Sequence, residues 1–283
     1  MQNLNLNWND FLFGSNPWIV AIGLNTILLS LVAIAPKKLL TTAGIIHAGI
    51  LGILIWGCLG WQGYLVVAFY FIVGSGVTRI GMAEKEAAGI AEKRSGARGP
   101  ENVWGSALTA ALCALGILLV RLLSAESAIN SQIISLLLLG YVASFSTKLS
   151  DTCASEVGKA YGQRTFLITT LQPVAKGTEG AVSLEGTIAG VVASILMALV
   201  GWGTGLIDAI GIVWCVLAAL IATNLESVIG ATLQAKVHWL TNEVVNFINT
   251  FIGAIVAMGL ALVWNYSQTL LMTEALLRQS YSG

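Results

Sequence analysis

The chain has 283 residues, of which 56% are hydrophobic and only 10% are charged. Soluble domains carry about 25% charged residues, so this composition excludes an ordinary water-soluble fold. Fourteen Lys and Arg residues balance fourteen Asp and Glu residues, and the zero net charge argues against the basic field typical of nucleic-acid binding.

The N-terminal 16 residues contain no Lys or Arg, which argues against a cleaved signal peptide. The four cysteines and two histidines are far apart in the sequence. Neither a disulfide framework nor a zinc site is therefore predicted. The expected architecture is an all-α, polytopic transmembrane bundle that forms one integral membrane domain over residues 1–283.

Eight apolar segments approach the length of about 20 residues that a helix needs to cross a bilayer core of about 30 Å. They are residues 17–35, 42–59, 62–78, 105–123, 132–147, 186–201, 205–222 and 244–266. Four of them are short, so the prediction is seven or eight spans. Glycine-containing connections at 60–62 and 202–204 predict tight turns on the far side of the membrane.

The distribution of positive charge predicts the orientation, because Lys and Arg near span ends stay preferentially in the cytoplasm. Only Arg121 and Arg278 fall on the other side of this arrangement. The cytoplasmic side receives Lys37, Lys38, Arg79, Lys85, Lys93, Arg94, Arg98, Lys148, Lys159, Arg164, Lys176 and Lys236. These loops are thus expected to be cytoplasmic and both termini outside, or lumenal in an internal membrane.

Three cytoplasmic segments are predicted, at about 79–104, 148–185 and 223–243, and they hold most of the acidic residues. The first of them mixes bases with glycines. Lys85, Arg94, Arg98 and Asn102 could close over a polyanionic ligand, with the cations neutralising phosphate oxygens. The alternative is that these bases serve only to orient the chain.

The second segment begins directly after an apolar helix. If that helix continues, Lys148, Asp151, Thr152, Ser155 and Lys159 share one face by their i, i+3, i+4 spacing. Asp151 and Glu156 could then flank a Mg²⁺ ion, which favours carboxylate oxygens and substrate phosphates. A solvated helix end with local ion pairs is the competing interpretation.

The same segment ends in a glycine-rich stretch that leads into the sixth span. Glycines allow backbone N–H groups to approach an anion, and a helix N-terminus favours negative charge. The candidate phosphate ligands are Lys176, Gly177, Thr178, Gly180, Ser183, Gly186 and Thr187. No Walker A motif is present, and a flexible interhelical turn is the alternative.

The third segment contributes Asn224 and Glu226. Beyond it, Asn242, Asn246 and Asn249 recur at i, i+4, i+7, which places amides on one stripe of the eighth span. Polar side chains at membrane depth usually face the bundle interior or a wet cavity. The alternative role is hydrogen bonding between helices.

Several of these stretches resemble the phytyl-phosphate kinase family of plastids and cyanobacteria. The matching stretches are SFSTKLSDTCASEVG at 144–158, VAKGTEGAVSLEGT at 174–187, ESVIGA at 226–231 and NEVVNFINT at 242–250. More distantly, the chain is similar to the CTP-using dolichol and phytol kinases. Glu243 stands where many relatives are expected to have Asp.

The resemblance implies transfer of a phosphoryl group from a nucleoside triphosphate, with CTP one candidate, to phytyl phosphate in tocopherol or phylloquinone synthesis. It also implies a bacterial cell membrane or a thylakoid or plastid membrane as the location, with the catalytic loops cytoplasmic or stromal. The expected partners are a prenyl-phosphate lipid, a nucleotide, Mg²⁺ and membrane lipid, and homo-oligomerisation is left open. Asp151 and Glu156 are assigned to Mg²⁺, Lys176 and its glycines to the triphosphate, and Lys85 or Arg98 to the acceptor phosphate. Lys148 is grouped with the catalytic residues, while Asn224, Glu226, Asn242 and Asn246 complete the cavity.

Three other activities fit the same residues. A CTP-dependent lipid cytidylyltransferase also needs an acidic, glycine-rich cytoplasmic site, and a prenol kinase would use Asp151 as a base. A lipid or solute transporter would place its site nearer the membrane midplane.

Overall fold

In a computed structural model, residues 16–36, 38–123, 127–234 and 236–281 are described, and they form a bundle of helices. Lys37, one of the predicted cytoplasmic cations, lies outside this set. The helices are α1 (Pro17–Ile34), α2 (Thr42–Thr78), α3 (Met82–Ala87), α4 (Pro100–Leu123), α5 (Ala128–Tyr161), α6 (Leu184–Gly203), α7 (Ala209–Ile229) and α8 (Asn242–Tyr281). Within the described residues, all of them except α3 are long and apolar enough to cross a membrane, which confirms the predicted fold class.

Helix α2 doubles back on itself at Gly60, whose backbone angles are φ 66° and ψ −158°. The rings of Trp56 and Tyr64, on either side of this bend, lie 5.3 Å apart. The bend divides α2 into a first arm before Gly60 and a second arm after it. At the ends of the arms away from the bend, Arg79 donates a hydrogen bond of 3.1 Å to the Lys38 carbonyl, although a straight helix would separate these residues by about 60 Å. Helix α2 therefore makes two passes, as the sequence predicts, and the seven long helices provide eight.

Helix α5 occupies the centre of the bundle, where it packs against α2, α4, α6, α7 and α8. Residues 139–150 are all buried, so this stretch is surrounded by protein on every side. With 34 residues the helix is about 51 Å long, which exceeds the bilayer core. The helix therefore extends beyond the predicted fifth span, 132–147, and the predicted loop 148–185 becomes non-helical only after Tyr161.

A small antiparallel sheet follows α5, with β1 (Thr165–Leu167) paired to β2 (Ala181–Ser183). The sequence pattern did not predict these strands, since three residues are too few for a recognisable alternation. Strand β2 runs directly into α6. The Ser183 hydroxyl accepts a hydrogen bond of 3.1 Å from the Gly186 N–H and so caps that helix.

The two ends of the bundle differ in character. At one end, here called the far end, Arg121 donates to the Cys58 carbonyl at 3.2 Å, close to the bend at Gly60. At the opposite end, here called the site end, Arg98 contacts both arms of α2, at Gly44 and at Gly74. The connections of the chain thus alternate between the far end and the site end, as the sequence predicts. The assignment of the site end to the cytoplasm stays a prediction.

Candidate active site

A cavity of about 790 Å³ opens at the site end. Its wall combines α2, α4, α5, α6, α7, α8 and the connections at 89–99 and 177–183. The three segments predicted to carry the chemistry thus meet in one place. The predicted site residues on its wall are Arg98, Asn102, Lys148, Asp151, Glu156, Gly177, Thr178, Gly180, Ser183, Gly186, Thr187, Asn224, Glu226, Asn242 and Asn246.

Two predicted phosphate ligands do not line this cavity. Lys176 is exposed and lies outside the lining, although the glycine that follows it belongs to the wall. Lys85 is only 1% exposed and is also absent from the lining. The structure therefore does not bring either lysine to the position that its predicted role requires.

One face of α5 forms the floor of the cavity. Lys148, Asp151, Thr152, Ser155 and Lys159 all lie on it, as their spacing predicts. The Lys148 ammonium donates to Asp151 Oδ2 at 2.5 Å and to Asn246 Oδ1 at 2.6 Å. Because Asn246 belongs to α8, this lysine also holds two helices together beneath the cavity.

Asp151 has a second acidic neighbour on the facing helix α7. Both carboxyls line the cavity and lie close enough to interact electrostatically, and we call these two residues the acid pair. The Asn249 amide donates to Glu226, while the Asn249 Oδ1 atom is buried and has no hydrogen-bond partner among the described residues. Two carboxylates that face one cavity and interact in this way repel each other unless a proton or a cation lies between them, so the acid pair is a cation-binding candidate.

Glu156 lies in a separate cluster with Lys85 and Lys159. The Lys85 ammonium forms a short ion pair with Glu156 and donates to the Thr78 carbonyl at 2.8 Å. Lys159 approaches the other oxygen of Glu156, at 3.5 Å. Glu156 is only 2% exposed, so both of its oxygens are engaged by cations. The Lys85–Glu156 ion pair joins α3 to α5. The pairing of Glu156 with two lysines sets it apart from Asp151, beside which the sequence predicts it to bind a metal ion.

Arg98 is held rigidly on the wall. Its N–H donates to the Leu39 carbonyl and its own carbonyl accepts from the Thr41 N–H, both at 3.0 Å. The guanidinium donates to the Tyr70 hydroxyl at 2.9 Å and lies 5.0 Å from the centre of that ring. Among the described residues, Arg98 has no carboxylate within 4.0 Å, so its charge is available to an anion.

Tyr70 is a functional neighbour that sequence reasoning missed. It lies inside an apolar span, and its ring is only 4% exposed. The signal was its position two turns before the end of the arm at Thr78, since buried tyrosines usually find a hydrogen-bond partner. Only the fold shows that this partner is Arg98.

Asn102 has a local structural role on the same side of the cavity. Its Oδ1 atom accepts from the Gly99 N–H and from Arg94, each at 3.0 Å. Arg94 also pairs with Glu101, and both of these side chains are more than 40% exposed. Asn102 thus organises the first turn of α4 and the approach to it.

The glycine-rich stretch forms a turn packed against α7. Gly177 and Gly180 have φ values of 81° and 77°, which are unfavourable for residues with a side chain. A Cβ atom on Gly180 would meet the Ser227 carbonyl at 2.6 Å. The Thr178 hydroxyl donates to the Ala175 carbonyl at 2.8 Å, so the turn is internally bonded and fixed in place, unlike a flexible linker.

Metal coordination by protein groups alone is not indicated. In the part of the chain that the structure describes, no three or more His, Cys, Asp or Glu side chains are grouped so that they could hold an ion. Mg²⁺ usually takes one or two carboxylates, with waters and substrate phosphates completing its shell. The acid pair has the right donor atoms for such a site.

Asn242 and Asn224 lie at the rim of the cavity. Asn242 accepts from the Gln234 amide across the turn between α7 and α8. Asn224 donates to the Leu220 carbonyl at 2.7 Å and is exposed. Both residues therefore have polar atoms that face a ligand entering from α7.

Residues 25–254 match the family described as integral membrane protein DUF92. The chain is 67% identical over 245 residues to an uncharacterised membrane protein of Synechocystis, covering 86% of this chain and 91% of that one. It is 47% identical over 221 residues to Protein VTE6, chloroplastic, of Arabidopsis thaliana, covering 77% of this chain and 64% of that protein.

An uncharacterised membrane protein of Methanocaldococcus jannaschii is 32% identical over 243 residues, covering 85% of this chain and 94% of the other. No solved structure matches the chain. The relatives thus include bacterial, plant and archaeal membrane proteins. The match spans α2 to α7 and the first part of α8, which contain every residue of the cavity, and the chain belongs to the DUF92 family of integral membrane proteins.

Proposed function

We propose that this protein is a membrane-embedded phosphotransferase that moves a phosphoryl group from a nucleoside triphosphate to a prenyl phosphate, with phytyl phosphate the best candidate acceptor. Family membership together with the resemblance to phytyl-phosphate kinases supports the reaction class. The observation that carries the proposal is the cavity, where Arg98 offers an unpaired cation to phosphate and the acid pair offers carboxylates to a metal ion.

Phosphoryl transfer asks a protein mainly to position its substrates and to neutralise charge spread over phosphate oxygens. Arg98, Lys148 and Lys159 line the cavity and supply positive charge. Gly177 and Gly180 bring backbone N–H groups to the same wall. A phosphate monoester is already largely dianionic near pH 7, so the acceptor needs no strong general base. Within the described ranges of the chain, no histidine lines the cavity.

Asp151 and Glu226 are the residues that would hold Mg²⁺. Bound there, the ion would supply charge neutralisation and orientation of phosphate groups. This assignment replaces the predicted combination of Asp151 with Glu156, because Glu156 is enclosed by two lysines. Lys148 then balances the remaining negative charge of the acid pair and keeps Asp151 oriented towards the cavity.

The site end is proposed to face the cytoplasm or the stroma, where nucleotides are available. The prenyl chain would lie in the bilayer while its phosphate reaches the cavity. Such an arrangement explains why a kinase with a lipid acceptor is built within a membrane. The nucleotide preference, with CTP one candidate, belongs to the same proposal.

The test is an assay of purified protein with phytyl phosphate, Mg²⁺ and each of the four common nucleoside triphosphates. Phytyl diphosphate with release of nucleoside diphosphate is the expected product pair. A CDP-lipid with pyrophosphate would instead establish a cytidylyltransferase, and phosphorylation of phytol would establish a prenol kinase. Absence of any product with all four nucleotides contradicts the proposal.

Arg98→Ala provides the matched variant for this assay, and Arg164→Ala is its control. Arg164 is exposed and does not line the cavity. We expect Arg98→Ala to lose most of the activity and Arg164→Ala to keep it. Equal activity of the two variants would remove Arg98 from the site.

A further inference from the structure

The walls of the cavity differ in how deeply their side chains are enclosed. The lining residues Glu101 and Asn242, at the ends of α4 and α8, are exposed. Deeper in the bundle, the lining residues Tyr70, Ser106 and Val245 on α2, α4 and α8 are each no more than 5% exposed. The seam between α4 and α8 is closed, because a Cβ atom on Gly105 would meet the Glu243 carbonyl oxygen at 2.9 Å. A ligand therefore has no lateral exit on that side.

The seam between α6 and α7 differs. Thr187 and Val191 on α6, and Leu220 and Asn224 on α7, all line the cavity. Leu220 is 40% exposed, Thr187 and Asn224 are also exposed, and Val191 is half-buried. Four residues of the cavity wall are thus accessible at a depth where a spanning helix otherwise meets lipid.

The chemistry of this seam changes with depth in the same way on both helices. Helix α6 enters the bundle from the site end, so Val191 lies one turn deeper than Thr187. Helix α7 runs towards the site end, so Leu220 lies one turn deeper than Asn224. Val191 is about 10 Å and Leu220 about 14 Å below the end of its helix, a depth that is surrounded by hydrocarbon if the helix ends lie at the membrane surface.

We infer that the seam between α6 and α7 is the lateral opening through which the isoprenoid chain of the acceptor lies in the bilayer. Polar residues nearer the cavity and apolar residues deeper in the membrane match a molecule with a phosphate head and a hydrocarbon tail. This inference rests on the proposed function for the identity of the acceptor.

The inference also divides the cavity between the two substrates. If the acceptor enters at α6 and α7, its phosphate lies on the side of Gly177, Gly180 and Thr187. Arg98 contacts the two arms of α2, and α2 packs mainly against α1, α4 and α5, which do not form the opening. Arg98 is thereby assigned to the nucleotide, and Arg98→Ala should raise the KM for nucleotide more than the KM for prenyl phosphate.

The first experiment needs no turnover. The probe is hexadecyl phosphate with a diazirine near the end of its chain, photolysed with the full-length protein in detergent and mapped by mass spectrometry. We expect labels on α6 and α7 that excess phytyl phosphate removes. Labels mainly on α2, α4 or α8, or an unchanged pattern with the corresponding diazirine alcohol, would overturn the inference.

Substitutions in the seam test it independently. Val191→Trp and Leu220→Trp should reduce the competed labelling about tenfold, since an indole overfills the opening. Val192→Trp and Ile221→Trp are the controls, because these neighbours are exposed at the same depth but do not line the cavity. Equal labelling of all four variants contradicts the inference.

Two further measurements keep the outcomes distinct. Should Val191→Trp fail to fold, Val191→Cys can be modified after purification with a bulky maleimide, which blocks the seam in folded protein. Competed labelling at the seam without turnover would retain the opening and discard the kinase. Turnover of phytyl phosphate without labelling at the seam would discard the opening and retain the kinase.

Discussion

Helix α5 carries two lysine–carboxylate clusters that are five residues apart and have different surroundings. In the inner cluster, Lys148 and Asp151 face the cavity and connect to Glu226 on α7. In the outer cluster, Glu156 is enclosed between Lys85 and Lys159. The inner cluster thus has one more acidic than basic side chain, and the outer cluster has one more basic than acidic side chain. Catalysis is expected at the inner cluster, whose excess charge faces the cavity. The outer cluster, whose carboxylate is enclosed, is expected to contribute to stability.

The largest effect should follow from breaking the outer cluster. Lys85→Met leaves Glu156 buried without its main partner, and removing one member of a buried pair costs about 3–5 kcal/mol of unfolding free energy. Thermal unfolding in detergent measures the loss. The double variant Lys85→Met with Glu156→Leu should recover most of it, because an apolar pair of similar volume is often neutral. Full stability of Lys85→Met alone would contradict this role.

Breaking the inner cluster should affect catalysis instead. Asp151→Asn and Glu226→Gln remove a charge that the proposed metal ion requires, and the loss of one such electrostatic contribution typically costs about 10²–10³ in kcat. Stability should change less than in Lys85→Met, because Lys148 keeps one carboxylate of the acid pair and the Asn246 Oδ1 atom as neighbours. Glu84→Gln, on an exposed residue outside the cavity, is the control. Retained turnover in Asp151→Asn discards the metal assignment.

Arg98→Lys sharpens the comparison, because it keeps the charge but changes its shape. A lysine cannot offer two parallel N–H donors to phosphate, nor stack its head on Tyr70 as a planar group. Losing a charge-assisted hydrogen bond costs about 1.5–3 kcal/mol, so we expect kcat/KM for the nucleotide to fall roughly 10- to 100-fold. A variant with unchanged kcat/KM would show that Arg98 acts only as a point charge.

The smallest effect should come from the exposed pair at the rim. Arg94 and Glu101 are both solvent-accessible, and exposed pairs contribute about 0–1 kcal/mol. Arg94→Ala should therefore change the free energy of unfolding by no more than about 1 kcal/mol and turnover by no more than about twofold. A large loss of turnover at unchanged stability would move Arg94 into the site.

The sequence predicts those parts of this comparison that are local. The spacing of Lys148, Asp151 and Lys159 along one helix gives their shared face, and the connection at Gly60 gives the bend of α2. The partners of Glu156 and Asp151 are separated from them by 71 and 75 residues, and no local pattern specifies such contacts. Lys85 and Lys176 therefore looked equivalent to the other loop cations, although one is enclosed and the other is exposed.

The orientation of the bundle in the membrane is a prediction from the sequence alone. The distribution of Lys and Arg predicts that the site end faces the cytoplasm or stroma. Proteolysis or cysteine labelling of oriented vesicles would measure it. Accessibility of the connection at 162–180 only from outside the cell would reverse the orientation.

The central position of α5 has a consequence for biogenesis. Its stretch from Ser144 to Ser150 contains four hydroxyl side chains and a lysine, and a lysine alone disfavours insertion into lipid by about 2.5–3.5 kcal/mol at the helix centre. The segment is therefore not expected to pass from the insertion machinery into lipid as a single, unaccompanied helix. Neighbouring helices must shield it as it enters the bilayer, so the polar residues that build the cavity also make assembly of this protein a cooperative event.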